Sequence, residues 1–493
     1  MRMLRRSLVV CAVYACLVLA LGGCATNPVT GQTELMLVTE QEEIQMGKEL
    51  YPNALWGAEG GGGEYRDERL KTYLGDVVKR IHKNSHRPNL PVSFAVQNSS
   101  VPNAWAIPGH VVMTRGLLAG LDNEAEFAFV MGHEMGHVSA RHSARQITNT
   151  ILLQVGLGIA GIALSGQDYA DSLIGLGAAG GSLLLLKYSR DDELEADRLG
   201  VQYMGRIGYD TNGALSAHKN LQRVSNEYVR SLGKEPQERS WFEDLLSTHP
   251  RTSVRLEEIQ QIINTTPRTP VIGDGSERSR FQTMTLDLRN TNHVYTSYYD
   301  PALRAFEKGK LAEANNLVRQ AISANRYQPP FYALAGFVWM KQKNYPEAER
   351  YFNGALTLDP NYQPAHRGLG TVRYAQGNFD ESARYLKKSL SLFPQDTVSH
   401  YFLGMGYYKQ RSYKAAIPHL SAFAEAKPKH ATIHTLLGQC YENVGDRKAA
   451  YDQYLMQVKA APDGEAGKLA AQRVTVLKPI VDPPKTEQKK EKK

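Results

Sequence analysis

Apolar residues first concentrate in a run of 14 from position 8 to 21, directly after the basic start MRMLRR. The run is shorter than the roughly 20 residues a spanning helix needs, so it reads as a secretory leader covering residues 1–23. Residues 25–56 carry modest periodicity, and the glycine-rich stretch 57–63 breaks it with a loop. Helical spacing over 64–82 predicts an amphipathic helix, followed by extended segments at 92–96 and 104–113. Residues 122–146 read as one helix, with Asp122 as N-cap and Glu124 and Glu126 in its first turn. Its apolar face, Phe127 to Met131, is dense enough that the helix must be buried. Two glycine-rich apolar segments follow, 151–164 and 173–186. Each is too short for a membrane span, so buried helices or a helical hairpin are expected, with contact to a membrane surface as the alternative. Helical patterns resume at 191–206, 214–232 and 253–263. Residues 267–294, rich in Pro, Gly, Ser, Thr and Arg, lack a clear period and read as a linker.

Beyond the linker the chain repeats itself. Gly336, Gly370, Gly404 and Gly438 lie 34 residues apart, as do Tyr345, Phe379 and Tyr413, and Pro360, Pro394 and Pro428. A 34-residue period with small residues where helices cross and proline after the second helix resembles tetratricopeptide repeats. About five units are expected over 295–464, the last acting as a cap. The aromatics Tyr332, Trp339, Tyr374, Tyr401, Tyr407 and Tyr408 either line a concave surface or fill the repeat core. The lysine-rich end, 465–493, reads as a disordered basic tail.

Composition narrows the function classes. At 493 residues, with 42% hydrophobic and 22% charged residues, the chain has the make-up of a globular protein of two or three domains. A mean hydropathy of -0.41 excludes a polytopic membrane protein. A net charge of +8, spread along the chain, gives no case for nucleic acid as a partner. Cys11, Cys16 and Cys24 cluster near the start and only Cys440 lies elsewhere, so no disulfide framework is expected. Leu21-Gly22-Gly23-Cys24 resembles the lipobox of bacterial lipoproteins. That resemblance implies cleavage before Cys24, acylation of Cys24, and, with Ala25 next, sorting to the outer membrane.

The chemistry sits in His133-Glu134-Met135-Gly136-His137. Four residues turn a helix about 400°, which returns both imidazoles to one face, where they can bind one zinc ion. Glu134, beside a ligand, is placed to take a proton from a water that the metal activates. A third ligand is needed. His142 lies five residues past His137, about 140° further round a continuous helix, and is expected to face elsewhere. The better candidate is Glu193, with Asp197 on the same helical face as a hydrogen-bond partner for a ligand histidine. Asp191, Asp192 and Glu195 are then solvent-facing or pairing charges.

His133 to His137 followed by Glu193-x-x-x-Asp197 is similar to the gluzincin metallopeptidases related to the CAAX prenyl endopeptidases and the membrane heat-shock zinc protease. The resemblance implies a mainly α protein: a zincin-like metallopeptidase domain of helices and a small β-sheet over residues 24–268, a linker at 269–294, then an α-solenoid of tetratricopeptide repeats. It implies one zinc per chain on His133, His137 and Glu193, with Glu134 catalytic and Asp197 behind a ligand. Asn103-Ala104-Trp105-Ala106 looks like the family's substrate-binding strand, which pairs with an extended peptide. Thr248-His249-Pro250 falls where resembling proteins carry a histidine near the zinc. Two roles are open to His249, a reversible fourth ligand that silences the enzyme or a donor to the oxyanion, and for the latter Tyr188 and Arg190 compete with it.

Leader, peptidase and repeats together resemble periplasmic peptidases that serve outer-membrane protein assembly. The expected protein is a zinc endopeptidase, lipid-anchored in the periplasm at the outer membrane. Its expected substrates are unfolded or misassembled envelope proteins, and its repeats are expected to dock substrates or the assembly machinery. The competing readings are a chaperone or scaffold whose peptidase is mostly latent, and a general degrader with the repeats as spacers.

Overall fold

The computed structural model describes residues 24–57, 61–152, 188–235, 255–267 and 269–482. The leader, His249, residues 153–187 of the apolar segments and residues 483–493 lie outside them. The chain divides into two compact units that part between Ser297 and Tyr298.

The first unit opens with a two-stranded antiparallel hairpin, β1 (Cys24–Thr26) and β2 (Thr33–Leu35), in which Cys24 pairs with Leu35. Helix α1 (Glu40–Gly57) leads through the glycine loop to α2 (Glu68–Lys83). The Asp67 side chain accepts from Leu70 N to start α2, and Leu70, Leu74, Val77 and Ile81 then bury one stripe. A three-stranded sheet follows, β3 (Ser93–Gln97), β4 (Ala104–Ile107) and β5 (His110–Thr114), in the spatial order β3-β5-β4. The extended stretch expected over 104–113 is thus two strands. Pro108 and Gly109 turn the chain, with Gly109 at φ 84°, a conformation that favours glycine.

Short α3 (Arg115–Gly120) precedes α4 (Glu124–Ser139), every residue of which is buried. Two details of this helix differ from expectation. Its N-cap is Asn123, whose side chain accepts from Glu126 N, in place of Asp122. It also stops at Ser139: Arg141 adopts φ 57°, and a separate helix, α5, runs over residues 142–152. Helix α6 (Arg190–Arg206) starts on a capping box between Ser189 and Asp192. It packs along α4 at backbone contact distance, because the facing positions are Gly132 and Gly136 on α4 and Ala196 and Gly200 on α6. Helices α7 (Gly213–Ser231) and α8 (Arg255–Thr265) complete this layer.

The region expected as a linker is helical over α9 (Arg278–Val294), and it belongs to the first unit. Phe281 and Leu288 enter the core that holds Phe127, and Tyr295 just beyond α9 accepts from Asn98 Nδ2 at 2.8 Å beneath the Arg115 guanidinium. The pattern is weak because two of the buried positions, Thr285 and Thr291, are polar.

The second unit stacks helix pairs at the predicted period: α10 (Asp300–Glu307) with α11 (Leu311–Ala324), α12 (Pro329–Lys341) with α13 (Tyr345–Leu358), α14 (Gln363–Ala375) with α15 (Phe379–Leu392), α16 (Thr397–Lys409) with α17 (Tyr413–Ala426), and α18 (Ile433–Val444) with α19 (Arg447–Ala460). The periodic glycines are where helices of a pair touch. A β-carbon at Gly336, Gly370, Gly404 or Gly438 would sit 2.5–2.7 Å from Phe352, Leu386, Leu420 or Tyr454. A second period is visible in hydrogen bonding. His366, His400 and His434 each set Nε2 2.9–3.1 Å from the carbonyl of Pro360, Pro394 or Pro428, and Tyr332 OH donates to Arg326 O in the same register. All six aromatics singled out in the repeats are half-buried. The expected disordered tail begins instead with a helix, α20 (Gly464–Val481), whose Ala470 and Leu477 cover Tyr454 and Ala450. Spacing of four and seven residues gives this lysine-bearing segment one apolar stripe, and that stripe closes the array.

Candidate metal centre

Helix α4 presents His133 and His137 on one face and α6 brings Glu193 against them from more than fifty residues away. Nε2 of His133 and Nε2 of His137 are 3.1 Å apart. Glu193 Oε2 lies 3.6 Å from the first, and Oε1 lies 3.4 Å from the second. Among the described residues these three form the one cluster of His, Cys, Asp and Glu able to hold a metal ion. Ligands about 2.0–2.1 Å from a tetrahedral zinc stand about 3.3 Å from one another. Two imidazoles and a carboxylate at these separations, all buried, fit that ion.

Each histidine can turn Nε2 inward because Nδ1 is engaged behind it. His133 Nδ1 lies 2.8 Å from Asp197 Oδ1. His137 Nδ1 lies 2.8 Å from Nδ1 of His142, and the face of the His137 ring is covered by Tyr188, stacked at 3.8 Å between centroids. His142 is not the third ligand, as expected, but the expectation that it lies away from the pair of histidines fails. It assumed one continuous helix, whereas the left-handed residue Arg141 folds α5 back toward α4. Tyr188 itself is fixed by a 3.1 Å hydrogen bond with Ser143 Oγ.

Arg255, at the start of α8, was missed in the sequence. Its Nη1 is 2.9 Å from Glu193 Oε2, while Nε and Nη2 donate to the two oxygens of Asp197 at 2.7 and 2.8 Å. Burial alone would push the Asp197 carboxyl up. The Arg255 guanidinium and hydrogen bonds from Arg255, His133 and His218 outweigh it and hold the group well below the usual carboxylate range. The His137 pKa is lowered as well, here chiefly by burial, with His133 and His142 alongside, so its imidazole stays neutral at lower pH than an exposed one. A neutral imidazole is the form a metal requires.

Beside His133 and Glu134 lies a cleft whose walls are Ala104, Leu117, Phe129, Val130 and Leu221, with Asn103, His218 and Arg255 at its polar side. Strand β4 is an edge of the sheet, and its first residue, Ala104, stands in the cleft wall. Asn103 is buried, and its Nδ2 has no hydrogen-bond acceptor among the described residues. Trp105 points away, donating from Nε1 to Gln97 Oε1 at 3.0 Å in a core with Leu50 and Ala54, and Ala106 packs into the core on the opposite side of β4. Of the other residues weighed, Arg190 is turned outward to pair with Glu258, Asp192 pairs with Arg145, and Glu195 pairs with His142.

Comparison with known proteins agrees with this geometry. Residues 68–263 match the model of peptidase family M48, and tetratricopeptide repeat models match 299–363, 340–404 and 401–465. The chain is 26% identical over 329 residues to the beta-barrel assembly-enhancing protease of Escherichia coli O157:H7, covering 64% of each protein. It is 28% identical over 243 residues to the mitochondrial metalloendopeptidase OMA1 of Schizosaccharomyces pombe, covering 48% of this chain and 65% of that one. The chain thus spans just under two thirds of the length of either relative. Among solved structures, YrrB, a TPR protein with an unusual peptide-binding site, aligns with 37% of this chain and 92% of its own at 21% identity and a TM-score of 0.31. Metal-ligand geometry and family match coincide on the same residues, and the chain carries a peptidase family M48 domain followed by tetratricopeptide repeats.

Proposed function

We propose that this protein is a zinc-dependent endopeptidase of the bacterial periplasm, anchored through Cys24 to the outer membrane and acting on unfolded or misassembled envelope proteins. The observation that carries the reading is the convergence of His133, His137 and Glu193 on one another, with His133 and the neighbouring Glu134 lining a cleft that the edge strand β4 also enters at Ala104. A zinc ion held by those three side chains would polarise the scissile carbonyl and lower the pKa of water there to about 7. Glu134 takes the proton of the attacking water and returns it to the leaving amine. The edge of β4, over Asn103, Ala104, Trp105 and Ala106, pairs with the substrate backbone, and the Asn103 amide offers its unused donor to a peptide carbonyl. The walls Leu117, Phe129, Val130 and Leu221 accept an apolar substrate side chain. Asp197 holds His133 in the tautomer that leaves Nε2 for the metal. The repeats hold client proteins or assembly partners.

Glu134→Gln separates binding from chemistry. The variant is expected to retain one zinc per chain, measured by elemental analysis, and to cleave an unfolded test protein about 10²–10⁴-fold more slowly. Undiminished cleavage with zinc retained would sink the mechanism.

A further inference from the structure

The two ligand histidines are backed differently. His133 meets a carboxylate directly, at Asp197. Behind His137 stands a third imidazole, that of fully buried His142. Tautomers follow from the partners. When His137 offers Nε2 to the metal, its Nδ1 carries the proton and donates to His142 Nδ1, 2.8 Å away. The proton of His142 is then on Nε2, which lies 3.2 Å from Glu195 Oε2 and 3.5 Å from Asp192 Oδ1. Asp192 is held in turn, by the capping box with Ser189 and by Arg145 Nη1 at 2.8 Å, and Arg145 also pairs with Glu34 of strand β2. A buried imidazole costs free energy unless both nitrogens are satisfied. Here both are, and each bond has only one workable direction.

We propose that His142 is a positioning residue of the metal centre, fixing the ring plane and tautomer of His137 and passing that alignment to Glu195 and Asp192. The proposal rests on the reading of His137 as a zinc ligand. His142 reaches the metal through another side chain and touches neither substrate nor ion. It stands where a carboxylate, backbone carbonyl or water usually backs a ligand histidine, and partners in that place set metal affinity by about 10–100-fold.

The test uses the full-length protein and three readouts: zinc affinity by competition with a chromophoric chelator, the visible spectrum of the cobalt(II)-substituted protein, and the melting temperature without metal. His142→Leu, which removes the acceptor, is expected to weaken zinc binding about 10–100-fold and to shift the cobalt bands. In His142→Asn the amide oxygen can stand where Nδ1 stands, so most of the affinity and the original spectrum should return. Should His142→Leu fail to fold, His142→Ala against His142→Asn carries the comparison. Wild-type zinc affinity and an unchanged cobalt spectrum in the Leu or Ala variant would overturn the role. So would an Asn variant that binds zinc no better than Leu while melting at the wild-type temperature. Wild-type protein that takes up no zinc would instead overturn the peptidase reading itself and this inference with it.

Discussion

Arg255 sets one guanidinium against two buried carboxylates, Glu193 and Asp197. Without a cation those groups would have to leave the interior or take up protons, since an unpaired buried charge is costly. Arg255 neutralises part of the site before any metal arrives. Arg255→Met is therefore expected to destabilise the metal-free protein by about 3–5 kcal/mol, read from denaturant unfolding, with zinc recovering part of the loss. A midpoint equal to wild type would show that the guanidinium is dispensable. Nothing near Arg255 in the sequence signals this role, because its partners lie 58 and 62 residues earlier. The usable signal was indirect: two acidic residues on one buried helical face call for a positive group to pair with them before any metal binds. His142 was misread for a different reason. Helical phase counted from His137 is valid only while the helix continues, and the left-handed turn at Arg141 ends it.

The crossing of α4 and α6 is the element on which the centre depends. A β-carbon at Gly136 would lie 3.1 Å from Ala196 Cα, and one at Gly200 would lie 3.0 Å from the backbone nitrogen of His133. Small residues on both helices let the backbones close, so that Glu193 on one reaches the histidines on the other. Gly200→Val is expected to force the helices apart, lowering stability by about 1–3 kcal/mol and weakening zinc binding together. Gly75→Ala, in α2 with nothing within 4 Å of the added carbon, serves as the control and should be neutral or stabilising by about 0.5–1 kcal/mol. Calorimetry and zinc titration of both variants check this, and equal behaviour of the two would remove the packing argument. Sequence patterning found α2, α6, α7 and α8 because each has a helical stripe to bury, and α4 because its apolar positions are dense enough for burial on every side. It failed on α9, where Thr285 and Thr291 occupy buried positions, and on α20, whose stripe is masked by a lysine-rich context. In both cases burial depends on a surface supplied from elsewhere in the chain.

At the scale of the molecule, the first unit carries the metal centre and the second a helical array closed by α20. Cys24 opens β1 and is exposed, so an acyl group there would leave the fold without disturbing it. The hairpin that begins at Cys24 is tied to α5 by the Glu34 to Arg145 ion pair. Cys24→Ala is expected to move the protein from the membrane to the soluble periplasmic fraction on cell fractionation, and continued membrane retention would count against the anchor. The sequence alone determined what repeats locally: two histidines four apart, a glutamate and an aspartate four apart, and a 34-residue period of glycine, aromatic and proline. Those features are readable because helical pitch and stacked identical units turn spacing directly into geometry. Tertiary structure decided the rest: which face of α6 meets α4, that His142 and Arg255 back the ligands, that β4 is an edge strand beside the cleft, and that 278–294 joins the first core. Apart from the turn at Arg141 that brings His142 back to His137, these are contacts between segments far apart in the chain, and no local period records them, because a buried charge or an open strand edge finds its partner only when separate surfaces are packed together.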